Sequence, residues 1–138
     1  MEMSVTPMII MSILAGLLST MNMWTTKFEC MRLHLNDIYM VLLMTSWMIL
    51  FHSIYYYNNN QTIIISLLCV IVFIYCIRKQ VFVDDTQFMK GMIPHHDMAV
   101  FMSEKIKEKS RDKNVIVLAD NIIKSQNEEI EFMVNLGY

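Results

Sequence analysis

The stretch IYMVLLMTSWMILFHSIYYYNNNQTIIISLLCVIVFIYCI, Ile38 to Ile77, contains no lysine, arginine, aspartate or glutamate. A helix needs about 20 apolar residues to cross the roughly 30 Å hydrocarbon core of a bilayer. This stretch is long enough for two such helices, and the polar run NNNQ at Asn58–Gln61 reads as the turn between them. It therefore predicts spans over 37–57 and 62–79, the second short enough to need tilt or local thinning of the bilayer. A further charge-free stretch, Met3 to Thr26, predicts a span over 6–24. It lacks the basic leader of a cleaved signal peptide, and Glu2 has the wrong sign for one. Trp24, Tyr39 and Tyr55-Tyr56-Tyr57 fall near span ends, where amphipathic rings are favoured.

Outside these stretches the composition changes sharply. Residues 1–80 carry only Glu2, Lys27, Glu29, Arg32, Asp37, Arg78 and Lys79 as charges; every other charge lies between Asp84 and the C-terminus. We expect an all-α protein in two parts: a three-span membrane domain over 1–80 and a helical domain over 81–138. A net charge of −2, with no basic patch interleaved with aromatics, argues against nucleic acid as a partner. Cys30, Cys69 and Cys76 form no C-x-x-C and read as small apolar side chains. Lys27 and Arg32 follow the first expected span, and Arg78 and Lys79 follow the third. Both basic ends thus fall on one side, which the positive-inside rule makes cytoplasmic. The N-terminus is then outside and the C-terminal domain inside.

Two groups of soft ligands stand out. Met40, Met44, Met48 and His52 repeat every four residues in the second span. Neighbours four apart stack on one helix face, but the ladder drifts about 40° per step and winds around the helix. It is either packing or a metal path. Met8, Met11, Met21 and Met23 have no histidine beside them in sequence and read as packing.

The second group is MKGMIPHHDMAVFMS, Met89 to Ser103, with four methionines and two adjacent histidines. At 100° per residue one apolar face collects Phe88, Met89, Met92, His95, His96, Ala99, Met102, Ser103 and Ile106, while Lys90, Asp97, Glu104 and Lys105 lie opposite. Lys107–Lys113 reads as a turn, with Ser110 or Asp112 as a cap. A second helix follows, with Val115, Ile116, Ala119, Ile122, Ile123, Gln126, Ile130, Met133 and Val134 on its apolar face. Gln126 on that face needs a hydrogen-bond partner, and the histidines are the evident candidates.

Thioethers are neutral and polarizable, and soft sulfur selects Cu(I); imidazole suits copper as well. The metal ligands expected are His95, His96, Met92 and Met102, with Met89 and Met133 at the margin and Gln126 and Glu129 supporting the imidazoles. His95 and His96 diverge by about 100° and do not share one ion without help from elsewhere. The cargo expected is copper as Cu(I), or silver.

These residues resemble the domain-of-unknown-function 305 family. The resemblance rests on Phe88, Met92, Ile93, His95, His96, Ala99 and Met102, then Ala119, Ile122 or Ile123, Gln126, Glu129, Ile130 and Met133, over about residues 84–136. Membrane-anchored members with methionine-rich spans are similar over more of the chain. The resemblance implies a ferritin-like helical bundle and, for some members, periplasmic copper binding, a location opposite to that from charge. One antiparallel hairpin is half of a ferritin-like four-helix bundle, so a homodimer would complete it. A structural oligomerisation protein, with methionine as packing only, and an oligomeric transporter subunit are the competing readings. An enzyme is not expected, because a hydrolytic metal site needs a general base and no carboxylate is clearly placed beside the histidines, Glu129 being the only candidate.

The orientation is testable. A reporter fused after Tyr138 is expected to be active only on the cytoplasmic side. Activity on the outer side would reverse the assignment.

Overall fold

The computed structural model describes residues 5–19, 24–57 and 59–138. All regular structure among them is helical. The helices are α1 (Val5–Leu18), α2 (Leu35–His52), α3 (Asn60–Lys79), α4 (Asp85–Lys109) and α5 (Lys113–Asn135). A π turn, Ser53–Tyr57, continues α2, and a 3₁₀ turn, Phe28–Cys30, lies in the segment before it. Met21, Met23 and Asn58 lie outside the described residues.

Two helices are long and apolar enough to cross a membrane: Leu35–Tyr56, which includes the start of the π turn, and Asn60–Lys79. They answer to the expected spans at 37–57 and 62–79. The span expected at 6–24 is only partly described. Its helix, α1, has 14 residues.

The chain forms two compact units. The first contains the described residues of Met1–Thr20 and Leu35–Val83; the second contains those of Met21–His34 and Asp84–Tyr138. The segment before α2 therefore clusters with the C-terminal helices, although it precedes both long apolar helices in sequence.

In the first unit α2 packs against both α1 and α3. The open end of the α2–α3 hairpin is tied by Tyr39, whose hydroxyl donates to the Val81 carbonyl at 2.7 Å. The side-chain amides of Asn36 and Gln80 add a reciprocal pair. Helix α3 stops because Gln80 turns left-handed, at φ 49°, and its N–H closes on the last carbonyls. Inside this unit the buried side chains are the apolar Met8, Tyr39, Val41, Leu50 and Val70, interleaved with the hydroxyl-bearing Ser12, Thr45, Ser46, Ser53 and Ser66. Thr45, Ser46 and Ser66 donate to carbonyls of their own helix one turn back, so they need no outside partner. Gly16 lets α1 approach closely: a Cβ there would meet Met44 Cε at 2.8 Å and Val41 Cγ1 at 3.0 Å. The large side chains of α3, among them Ile64, Ile65, Leu68, Ile71 and Tyr75, point outward.

In the second unit α4 and α5 form an antiparallel hairpin. Asp84 caps α4 by accepting from the Gln87 N–H, and Asp112 caps α5 by accepting from the Asn114 N–H. Pro94 sits within α4 without ending it. The apolar face of α5 packs as its periodicity predicts, with Ala119 and Met133 buried. Helix α4 differs. Its buried residues are Ile93, Pro94, His96, Asp97, Val100 and Ser103, whereas Phe88, Met102 and Ile106 are exposed. The buried face is turned by roughly 100° from the expected one.

The cause is the segment before α2. Asp97, expected on the open face, is 2 % exposed and accepts a 2.5 Å hydrogen bond from the Lys27 backbone N–H. The Lys27 ammonium is 3.8 Å away but 63 % exposed, so it contributes little beyond the backbone bond. Nearby, the His34 ring lies where a Cβ on Gly91 would be, at 2.5 Å. Helix α4 is thus covered on one side by α5 and on another by this strap.

Asp97→Ala is expected to leave the Lys27 N–H unpaired and to cost about 1–3 kcal/mol, while Asp97→Asn retains an acceptor and costs less. Denaturant melts, with proteolysis of the 24–34 segment, check this. Equal stability of Asp97→Ala and wild type would show that the strap is not held by Asp97.

Candidate metal site

Adjacent residues on a helix point about 100° apart. Asp97 faces the strap, His96 faces α5, and His95 faces outward and is exposed. The two imidazole rings are 6.0 Å apart between centroids and inclined by 59°. They diverge, as the sequence spacing implies, and do not form one chelating pair.

His96 is 7 % exposed. Its Nδ1 is 3.3 Å from Glu129 Oε2 across the hairpin. The approach is close but out of line, and Nδ1 has no hydrogen-bond partner among the described residues. Glu129 is about half exposed, so a small side-chain rotation would bring its carboxylate into line. Burial lowers the His96 pKa from the usual imidazole value; the Glu129 charge opposes this and His95 adds to it. Burial dominates, so His96 is held neutral with a lone pair free. If Nδ1 keeps its proton toward Glu129, Nε2 is the nitrogen left for a ligand.

The cross-helix pairs His96–Glu129 and Lys107–Asp120 set the register of the hairpin. That register places Met133, which is buried, opposite the stretch around Ile93. Met89 and Met92 are half-buried on the turns just before the histidines. Met102 is elsewhere. It lies six residues beyond His96, roughly 9 Å along the axis. It is 55 % exposed and lines a shallow groove with Phe101, Lys105 and Ile106. Gln126 is half-buried but makes no hydrogen bond to either histidine among the described residues; Glu129 is the α5 side chain that reaches His96. His96 and Met133 are thus buried, Met89 and Met92 half-buried, and His95 exposed.

Among the described residues no three His, Cys, Asp or Glu side chains come together in a metal-holding group. Cys30 adds no ready thiolate, because burial and then the Asp97 charge push its pKa up. Any metal here therefore depends on thioethers as well as imidazole.

The Met40–His52 ladder does not form one face. Met40 and Met48 are exposed, whereas Met44 is turned toward α1 at Gly16. Met48 and His52 instead line a cavity with Met8 and Met11 of α1. Sequence spacing within one helix carries no signal for that meeting.

Among the described residues the chain is all-helical, with one histidine of an adjacent pair buried in a two-helix hairpin and the other exposed. The chain belongs to the family described as "Domain of unknown function (DUF305)", whose model matches residues 79–137. It is also 45 % identical over 130 residues to "Uncharacterized protein L153" of Acanthamoeba polyphaga mimivirus, a match covering 91 % of this chain and 86 % of the relative. No solved structure matches.

A lowered His96 pKa has a defined consequence for stability. The folded state favours the neutral ring, so its contribution is complete above the unfolded value of about 6.5. It is lost as pH falls from there through the lowered folded-state pKa. The hairpin is expected to be more stable at pH 7.5 than at pH 5, and His96→Gln to flatten that difference. Thermal melts at the two pH values measure it; an unchanged pH response in His96→Gln would assign the dependence to other groups.

Proposed function

We propose that this protein is membrane-anchored and holds a soft monovalent metal ion, Cu(I) or Ag(I), as cargo on the hairpin. One observation carries the metal reading: a buried, neutral imidazole, His96, with a carboxylate at one ring nitrogen and methionines around it. A carboxylate on the far nitrogen is the arrangement that fixes the tautomer and orientation of metal-ligating histidines. The donors beside it are uncharged thioethers, which favour Cu(I) over harder cations. His96, Met92 and Met133 are the residues expected to hold the ion, with Met89 beside them. His95 offers an exposed imidazole for entry or transfer. Met102 is too distant for the same ion and suits a second one, or a ligand role toward another chain.

The membrane reading is supported by the packing of the first unit. Many isoleucine and leucine side chains of α3 face outward, while the buried hydroxyls of Thr45, Ser46 and Ser66 bond their own helices beside Val41, Leu50 and Val70. An apolar exterior around self-satisfied hydroxyls suits a lipid solvent. Lys27 and Arg32 precede α2, and Arg78 and Lys79 follow α3. Two crossings return the chain to the side it left, so the positive-inside rule gives the hairpin a cytoplasmic side whether or not α1 spans. Exposed Val117, Leu118, Phe132 and Leu136 on α5 favour a second copy that completes a four-helix bundle.

The test is a Cu(I) competition titration of the full chain in mild detergent, with wild type beside the His95→Ala/His96→Ala protein. Wild type is expected to bind additional Cu(I) and to gain about 2.7 kcal/mol of stability when free Cu(I) is about 100-fold above Kd. Glu129→Ala is expected to weaken this binding by about 10–100-fold. Equal binding by wild type and the double mutant, with stability unmoved by Cu(I), would leave the histidine face as packing.

A further inference from the structure

We propose that the cavity between α1 and the C-terminal end of α2 is a second site for a soft monovalent cation, Cu(I) or Ag(I), with Met8, Met11, Met48 and His52 as donors. This cavity is an open groove of about 540 Å³ within the first unit, bordered also by Ser12, Phe51, Tyr55 and Tyr56. One wall carries Met8 and Met11, neighbours one turn apart on α1. The facing wall carries Met48 and His52, neighbours one turn apart on α2. Three thioethers and one imidazole from two helices therefore border one space. No lysine, arginine, aspartate or glutamate lines it.

That donor set decides the ligand. A hard cation needs carboxylate or carbonyl oxygens, and a phosphate needs cations or free amides; neither kind of lining is present. A cation entering apolar surroundings loses its water and must be given neutral donors in exchange. Thioether and imidazole are the neutral donors for Cu(I). The cavity is wider than one ion requires, so the methionines must swing inward. Three rotatable bonds allow this, and Met11 and Met48 are about half exposed and free to move. The imidazole is half-buried. The Tyr56 ring lies 4.9 Å from the His52 ring, and Tyr56 is brought there by the π turn Ser53–Tyr57. Such turns are frequent at functional sites. Ser53 within it is buried, which anchors the turn.

This site does not rest on the hairpin reading, and the experiment separates the two. The full chain carrying His95→Ala/His96→Ala, which silences the hairpin, is titrated anaerobically in detergent with Cu(I) against a chromophoric chelator. We expect it to retain bound Cu(I), with sulfur-dominated X-ray absorption. Adding Met8→Leu/Met48→Leu, or His52→Asn separately, is expected to abolish that binding. Leucine for methionine conserves volume and apolarity, so helicity is expected to persist by circular dichroism. Met40→Leu, outside the cavity lining, is expected to retain the ion. Absence of Cu(I) from the His95→Ala/His96→Ala protein would overturn the proposal. So would equal binding after Met8→Leu/Met48→Leu, or a copurified lipid chain in the cavity that is indifferent to those substitutions.

Discussion

The buried carboxylate of Asp97 sets the geometry of the hairpin. It accepts the backbone N–H of Lys27 and so fixes a strap along one side of α4. A carboxylate withdrawn from water needs such a donor. Once that side of α4 is covered, the remaining side turns to α5. His96, the preceding residue, then meets Glu129. The positions of the two histidines follow: one buried against α5, the other exposed. A lone two-helix hairpin has little core of its own. Covering α4 from two sides gives the unit its interior, in which Ile93 and Val100 are almost completely buried.

The two units pack differently. In the hairpin, Ile93, Val100, Ala119 and Met133 are inside, with Asp97 the one buried carboxylate among the described residues. In the unit of α1, α2 and α3, buried Met8, Tyr39, Val41, Leu50 and Val70 are interleaved with Ser12, Thr45, Ser46, Ser53 and Ser66, and many large apolar residues face out. Inward hydroxyls bonded to their own helix permit close approach of backbones without leaving polar groups to lipid. In the reading proposed here, one chain carries soft donors into both environments: a histidine and methionines at the hairpin, and three methionines with a histidine between α1 and α2. The donors are neutral in both places, which favours a soft ion over a harder one.

The sequence by itself determined a good deal. The charge-free run Ile38–Ile77, with its NNNQ break, specified two long apolar helices and the turn between them. Period and a cap specified the hairpin: Asp112, one of two caps the sequence offered, caps α5, and the apolar face of α5 lies where its spacing placed it. The double histidine, with the later Gln126, Glu129 and Met133, was enough to indicate the family. These features are local, since hydrophobic period, capping side chains and motif spacing all act within a few helical turns. Tertiary structure decided the rest. It buried Asp97, turned the inner face of α4, exposed Met102 and gave His96 to Glu129 rather than to Gln126. It also split the Met40–His52 ladder and joined Met48 and His52 to Met8 and Met11. The physical reason is common to all of these. Periodicity records which side chains prefer to leave water, but not which distant segment covers them; for α4 that segment is the strap at Lys27, and for Met48 and His52 it is α1.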